Sequence, residues 1–169
     1  MNYAAFGTIV GHLLIEAFGG HHGYLAKAGF WTNGSREMFD RLSQCMVDQY
    51  NAYQIDGQNL NGTLALMHNI AYNGGVKVAY GAYKTDTNFK DLEMPGLNLT
   101  NQQIFFLGYS QLWCAKERSQ SPKNYLAMDF HGSHMHRVIG ALSNNVEFSK
   151  VFHCVQNKPM NPKTKCHVW

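Results

Sequence analysis

Residues 4–18 form an apolar run in which the only ionisable side chains are His12 and Glu16. The run reads as a helix, and Gly19-Gly20 behind it, free of side chains, favour a turn that ends it. Residues four apart share one face of a helix, so His12 and Glu16 stand side by side. Two readings of that pair are open: a local hydrogen-bonded pair, or part of a metal-ligating set. The run also looks like the apolar core of a secretion signal. No basic segment precedes it, however, and His12 and Glu16 fall in its middle, so it is read as a helix of the folded chain.

The remaining elements read as mostly helical. Ser35 is expected to cap a helix over 35–53, with Met38, Leu42, Cys45, Met46 and Gln49 spaced to put its apolar groups on one face. A helix over 61–84 carries His68, and its Gly74-Gly75 lets a neighbour approach closely. Thr100 caps the next, which runs through Phe105, Phe106, Tyr109 and Trp113 as core packing, and Pro122 marks a loop beyond it. Ser133 starts a helix bearing Arg137, Asn145 starts a shorter one ending near Cys154, and the tail from Pro159 is irregular. With 45% hydrophobic residues and 13% aromatics the 169 residues can build a real core as one domain. A formal charge of +3 without a Lys/Arg cluster argues against nucleic acid or an anionic membrane as partner. No apolar run reaches the roughly 18 residues that a bilayer needs.

A zinc-peptidase helix carries H-E-x-x-H, in which both histidines hold the metal from one face and the Glu activates its water. Gly11-His12-Leu13-Leu14-Ile15-Glu16-Ala17-Phe18 keeps that frame with altered letters. It is followed in order by Gln44-Cys45-Met46, Leu60-Asn61-Gly62, Asn69-Ile70-Ala71-Tyr72, Ala79-Tyr80-Gly81-Ala82-Tyr83, Leu97-Asn98-Leu99-Thr100, Trp113-Cys114, His136-Arg137-Val138-Ile139-Gly140 and Cys166-His167-Val168-Trp169. Taken together these resemble the C-terminal half of the catalytic domain of the neprilysin and endothelin-converting-enzyme family of zinc metallopeptidases, over nearly the whole chain. The resemblance implies a mainly α fold of thermolysin-like, gluzincin type with little or no sheet. It places residues 1–169 in one peptidase domain and implies that the upstream part of the catalytic domain, with its substrate-gripping strand, is absent.

The resemblance also assigns roles. His12 matches the first zinc ligand, Leu13 stands where the general-base Glu is expected, and Glu16 stands at the second ligand histidine. His68 takes the place of a ligand Glu, and Tyr72 that of an Asp that orients a ligand histidine. Asp129 and His131 match an Asp-x-His pair whose His stabilises the transition-state oxyanion, and Arg137 matches an arginine that holds a substrate carbonyl. His12, Glu16 and His68 are thus the usual two histidines and one glutamate with the last two exchanged. Zinc takes imidazole nitrogen and carboxylate oxygen at nearly the same distance, roughly 2.0–2.2 Å, so the set can still bind it. Loss of an orienting partner typically costs about 10- to 100-fold in affinity. Leu13 has no titratable group, and a positioned base typically supplies about 10²- to 10⁴-fold. The implied function is an impaired peptidase that binds peptides or a protein partner through the Arg137 and His131 side of its cleft. The alternative is a zinc-dependent metalloendopeptidase using the exchanged His12, Glu16 and His68.

In the family the cysteines matching Cys45 and Cys166 pair, whereas Cys114 and Cys154 match cysteines whose partners lie upstream. The pairing, with sequons at Asn33, Asn61 and Asn98, fits an extracellular protein or membrane-protein ectodomain, although four cysteines alone equally suit reduced thiols. Histidines 21 and 22, adjacent in a Gly-rich loop, do not share a coordination face in a helix, and His134 and His136 read as surface or capping groups.

Overall fold

The first helix opens as a π-helical turn, Tyr3–Gly7, that passes directly into α1, Thr8–Ala17. Thr8 continues the turn by donating its hydroxyl to the Ala4 carbonyl at 2.7 Å. The protein is described here from a computed structural model covering residues 2–19, 29–86, 90–116 and 133–169. The expected loops around residues 21–22 and Pro122 fall outside the described residues, in whole or in part.

Helix α2 spans Asn33–Asn51 and starts earlier than expected, because Thr32 and not Ser35 is its cap. Thr32 is extended, which aims its hydroxyl back at the helix, where it accepts the Ser35 amide at 3.1 Å. Its buried face is Phe39, Ser43, Met46 and Tyr50, whereas Met38 is 47% exposed. The face is rotated by one residue from the expected stripe because the aromatic side chains at 39 and 50, and not Met38, meet the core. A hairpin follows, Gln54–Ile55 (β1) paired antiparallel with Gln58–Asn59 (β2). Its turn residues Asp56 and Gly57 both have positive φ, 50° and 77°, as a tight two-residue turn requires.

Helix α3 spans Leu66–Thr85 and not 61–84. Asn61 delays it, since its side-chain oxygen takes the amides of Thr63 and Leu64, both at 3.1 Å, and folds a turn in place of a first helical turn. A second small hairpin, Glu93–Met94 (β3) with Leu99–Thr100 (β4), leads into α4, Asn101–Leu112. The expected Thr100 cap is present as a full capping box: Gln103 donates its amide to Thr100 Oγ1 at 3.3 Å and accepts the Thr100 amide at 2.9 Å. Ser133 precedes α5, His134–Asn144, and Asn145 caps α6, Val146–Val151, by accepting the Phe148 amide at 2.9 Å. Among the described residues the sheet is confined to these two hairpins, as the mainly α expectation requires. No helix among them is long and apolar enough to cross a membrane.

Helix α3 is the central element. On one side Tyr72, Val76, Ala79 and Tyr80 pack with Phe105, Phe106 and Tyr109 of α4 and Ala141 and Leu142 of α5. On the other, Ile70 packs with Phe39, Met46 and Tyr50 of α2 and with Cys166. Asn144 joins three helices and the tail: its amide donates to Asn73 at 2.9 Å and to Gln49 at 2.8 Å, and its oxygen accepts the Cys166 amide at 3.0 Å. Cys45 and Cys166, 121 residues apart with Cα atoms 5.5 Å from one another, form the expected disulfide and tie α2 to the tail, while Cys114 and Cys154 are free thiols.

Helices α1 and α3 cross at glycine. A Cβ on Gly11 would lie 2.8 Å from the Gly75 carbonyl oxygen, and one on Gly75 would lie 2.7 Å from the His12 amide nitrogen and 2.9 Å from the Thr8 carbonyl oxygen. Both clashes are with backbone, which cannot swing aside. Gly75→Ala is therefore expected to destabilise by about 1–3 kcal/mol, read as a lower urea midpoint, and an unchanged midpoint would contradict the crossing. Replacing Cys45 with Ser is expected to cost about 2–5 kcal/mol in the same measurement.

Candidate metal centre

The crossing sets which side chains meet. Helix α1 carries His12 and Glu16 one turn apart, α3 carries His68 and Tyr72 one turn apart, and the glycine contact holds the two faces together. Glu16 lies between the imidazoles: one carboxylate oxygen is 3.5 Å from His12 Nε2 and the other 3.2 Å from His68 Nδ1. The imidazoles are nearly parallel, at 8°, with centroids 6.0 Å apart. One ligand atom from each residue lies within 4.8 Å of the others, and among the described residues no other trio of His, Cys, Asp or Glu converges in this way. Two imidazole nitrogens and one carboxylate oxygen suit zinc, so the donor set fits the metal that the sequence resemblance implied. His12 is buried, and Glu16 and His68 are half-buried.

Leu13, where the resemblance expects the general base, is 58% exposed, and with Val10 and Leu14 it gives α1 an apolar solvent-side face. Arg137 reaches this region from α5. Its guanidinium carbon lies 5.2 Å from the Tyr72 ring centroid and 4.8 Å from that of Trp113. The Tyr72 ring itself stacks on His12, with centroids 4.5 Å apart and planes at 29°. The structure therefore gathers His12, Glu16, His68 and Arg137, while Asp129 and His131 lie outside the described residues. Sequence reasoning had placed Trp113 in the core alone and missed that it faces Arg137. The spacing of His68 and Tyr72 was a signal that Tyr72 shares the ligand face.

His136 is a correction. It is no surface group but only 4% exposed, and it stacks on Tyr53 at 4.9 Å and 27°. The helix face that points Arg137 at Tyr72 turns its neighbour inward. Burial pushes the His136 pKa below its ordinary value, because charging an imidazole away from water is costly.

Comparison with known proteins settles the family. The profile described as Peptidase family M13 matches residues 1–168. This chain belongs to peptidase family M13. This M13 chain is 43% identical over 175 residues to endothelin-converting enzyme 1 of Homo sapiens, an alignment taking in 100% of the chain and 23% of that protein. It is 40% identical over 178 residues to neprilysin of Homo sapiens, covering 100% of the chain and 24% of that protein. Its fold superposes on the Mycobacterium tuberculosis zinc metalloprotease Zmp1 with a TM-score of 0.86 at 23% identity, over 99% of this chain and 27% of that one. The M13 chain thus spans about a quarter of the length of the relatives it matches.

The buried His136 has a measurable consequence. A depressed folded-state pKa means that the unfolded chain binds more protons below about pH 6.5, so the stability tied to a neutral His136 is full above that pH and is lost as the pH falls. His136→Phe, which keeps the stacking on Tyr53, is expected to flatten that part of the acid loss in urea melts between about pH 7 and 5. An identical pH dependence in wild type and variant would refute it.

Proposed function

We propose that this chain is an M13 peptide-binding domain whose hydrolytic step is impaired. The observation that carries the reading is Leu13 in the general-base position, on the exposed face of α1 beside His12. Glu16 stands between His12 and His68, where it serves as a ligand and not as a base. Arg137 supplies the cation for a peptide carbonyl, and Asp129 and His131 are assigned by resemblance to the oxyanion side of the same cleft. Bound zinc would be held by His12, Glu16 and His68 and would supply Lewis-acid polarisation and a more acidic bound water.

The convergence of those three donors favours a second reading, a zinc-dependent metalloendopeptidase working without a positioned base. An extracellular or ectodomain setting is part of the proposal. It is supported by the Cys45–Cys166 bond and by the exposure of Asn33, Asn61 and Asn98, each the acceptor of an N-x-S/T sequon.

Zinc content by mass spectrometry and peptide hydrolysis separate these readings. The wild-type chain with zinc is expected to cleave a peptide with an internal hydrophobic residue no faster than background, and a chelator-sensitive turnover would overturn the impaired reading. Replacing His12, Glu16 or His68 by Ala is expected in each case to abolish zinc retention. Equal zinc content in the wild type and all three variants would refute the exchanged ligand set.

A further inference from the structure

Tyr3, Phe6, Val10, Leu13 and Ala17 follow one another at spacings of three, four, three and four residues. That is the spacing of the apolar seam by which one helix packs along another. Phe6, Val10, Leu13 and the flanking Leu14 are between 39% and 73% exposed. One such residue on a surface is ordinary, but a contiguous stripe of them marks a contact surface. The opposite face of the same helix is already occupied, since Thr8, Gly11 and His12 are buried and meet α3 at its glycines. Phe6, Val10, Leu13 and Leu14 belong to neither apolar core among the described residues.

We propose that this stripe is the contact surface of a homodimer, in which α1 packs antiparallel on α1 of a second copy about a two-fold axis at Val10. Charge selects the partner. From Asn2 to Gly19 the one carboxylate is Glu16, which is turned to His12 and His68, and there is no Lys or Arg. A polar or charged partner would lose its hydration against the stripe and gain no pair there, whereas a copy of the stripe presents only apolar groups. Side-chain volume selects the direction. About an axis at Val10, Phe6 lies opposite Leu14, Leu13 opposite Gly7 and Tyr3 opposite Ala17, so that large residues meet smaller ones. A parallel pair would instead set Phe6 on Phe6 and leave Ala17 facing Ala17, and its helix dipoles would repel. The exposed side chains offer about 500 Å² per copy, and a pair thus reaches the roughly 1,000 Å² that a specific interface needs. Leu13 gains a contact of its own in this arrangement, and the proposal rests on neither the zinc nor the peptide reading.

Sedimentation equilibrium of the 169-residue chain over about 1–200 μM, the range that a small interface calls for, reads the association directly. The mass is expected to rise from the 19.1 kDa of one chain towards twice that value. Val10→Glu sets two carboxylates against each other at the axis and is expected to raise the dissociation constant by about 100-fold or more, with the far-UV circular dichroism unchanged. Val155→Glu, at an exposed apolar residue of the C-terminal tail, is expected to leave it unaltered. Phe6→Lys and Leu14→Glu are each expected to weaken the dimer. Combined in one chain they face one another across the antiparallel axis, so the double variant is expected to associate more tightly than either single one. A monomer throughout, a dimer indifferent to Val10→Glu, equal loss in Val155→Glu, or a double variant no tighter than the weaker single would overturn the proposal. A monomer that binds neutral phosphatidylcholine vesicles would overturn it too, and would assign the stripe to a lipid surface. Should Val10→Glu not fold, Leu14→Glu carries the same expectation.

Discussion

The glycine contact between α1 and α3 is the constraint on which the site depends. At Gly11 and Gly75 the two backbones approach so closely that a methyl group on either residue would meet main-chain atoms at 2.7–2.8 Å. Gly74 adds to it, since a Cβ there would lie 2.9 Å from the Ile15 side chain. Close approach brings short side chains from both helices into one small volume, and Glu16 can then bridge two imidazoles with a single carboxylate. Larger residues at the crossing would push the helices apart and lengthen both contacts. Packing thereby becomes chemistry at this point in the fold.

Around that contact the rest of the protein acts as a frame. Helix α3 is apolar on two sides, so α2 is held on one and α4 and α5 on the other. The polar node at Asn144 and the Cys45–Cys166 bond then fix the tail against the same helices. A disulfide closing a long loop acts mainly on the unfolded chain, whereas the Asn144 node specifies which helices sit together in the folded one. The two are complementary.

In the proposed ligand set the positions of histidine and glutamate are exchanged, which keeps the donor types of a zinc centre while changing what surrounds them. The carboxylate now comes from α1 and stands between the imidazoles, and the side chain next to His12 is an exposed leucine. Tyr72 stacks on His12 and lies within cation–π range of Arg137.

What the sequence determined by itself was local. The Thr100 capping box, the Asn145 cap and the helix through His12 and Glu16 each depend on groups a few residues apart, so their letters suffice. The Asp56-Gly57 hairpin was equally legible in its turn residues, although it was not read from them. The Cys45–Cys166 pairing came through family resemblance, because four cysteines allow three pairings and spacing does not choose among them. Tertiary structure decided the rest. Which face of α2 is buried, whether His136 is inside or outside, and where the Arg137 guanidinium points all depend on neighbours far along the chain. His68 meets Glu16 only because two helices cross at glycine, and the sequence showed that Gly74-Gly75 permits a close approach without showing to what. A helix pattern defines faces, but the partner that covers each face, and so the chemistry assembled there, is a property of the packed molecule.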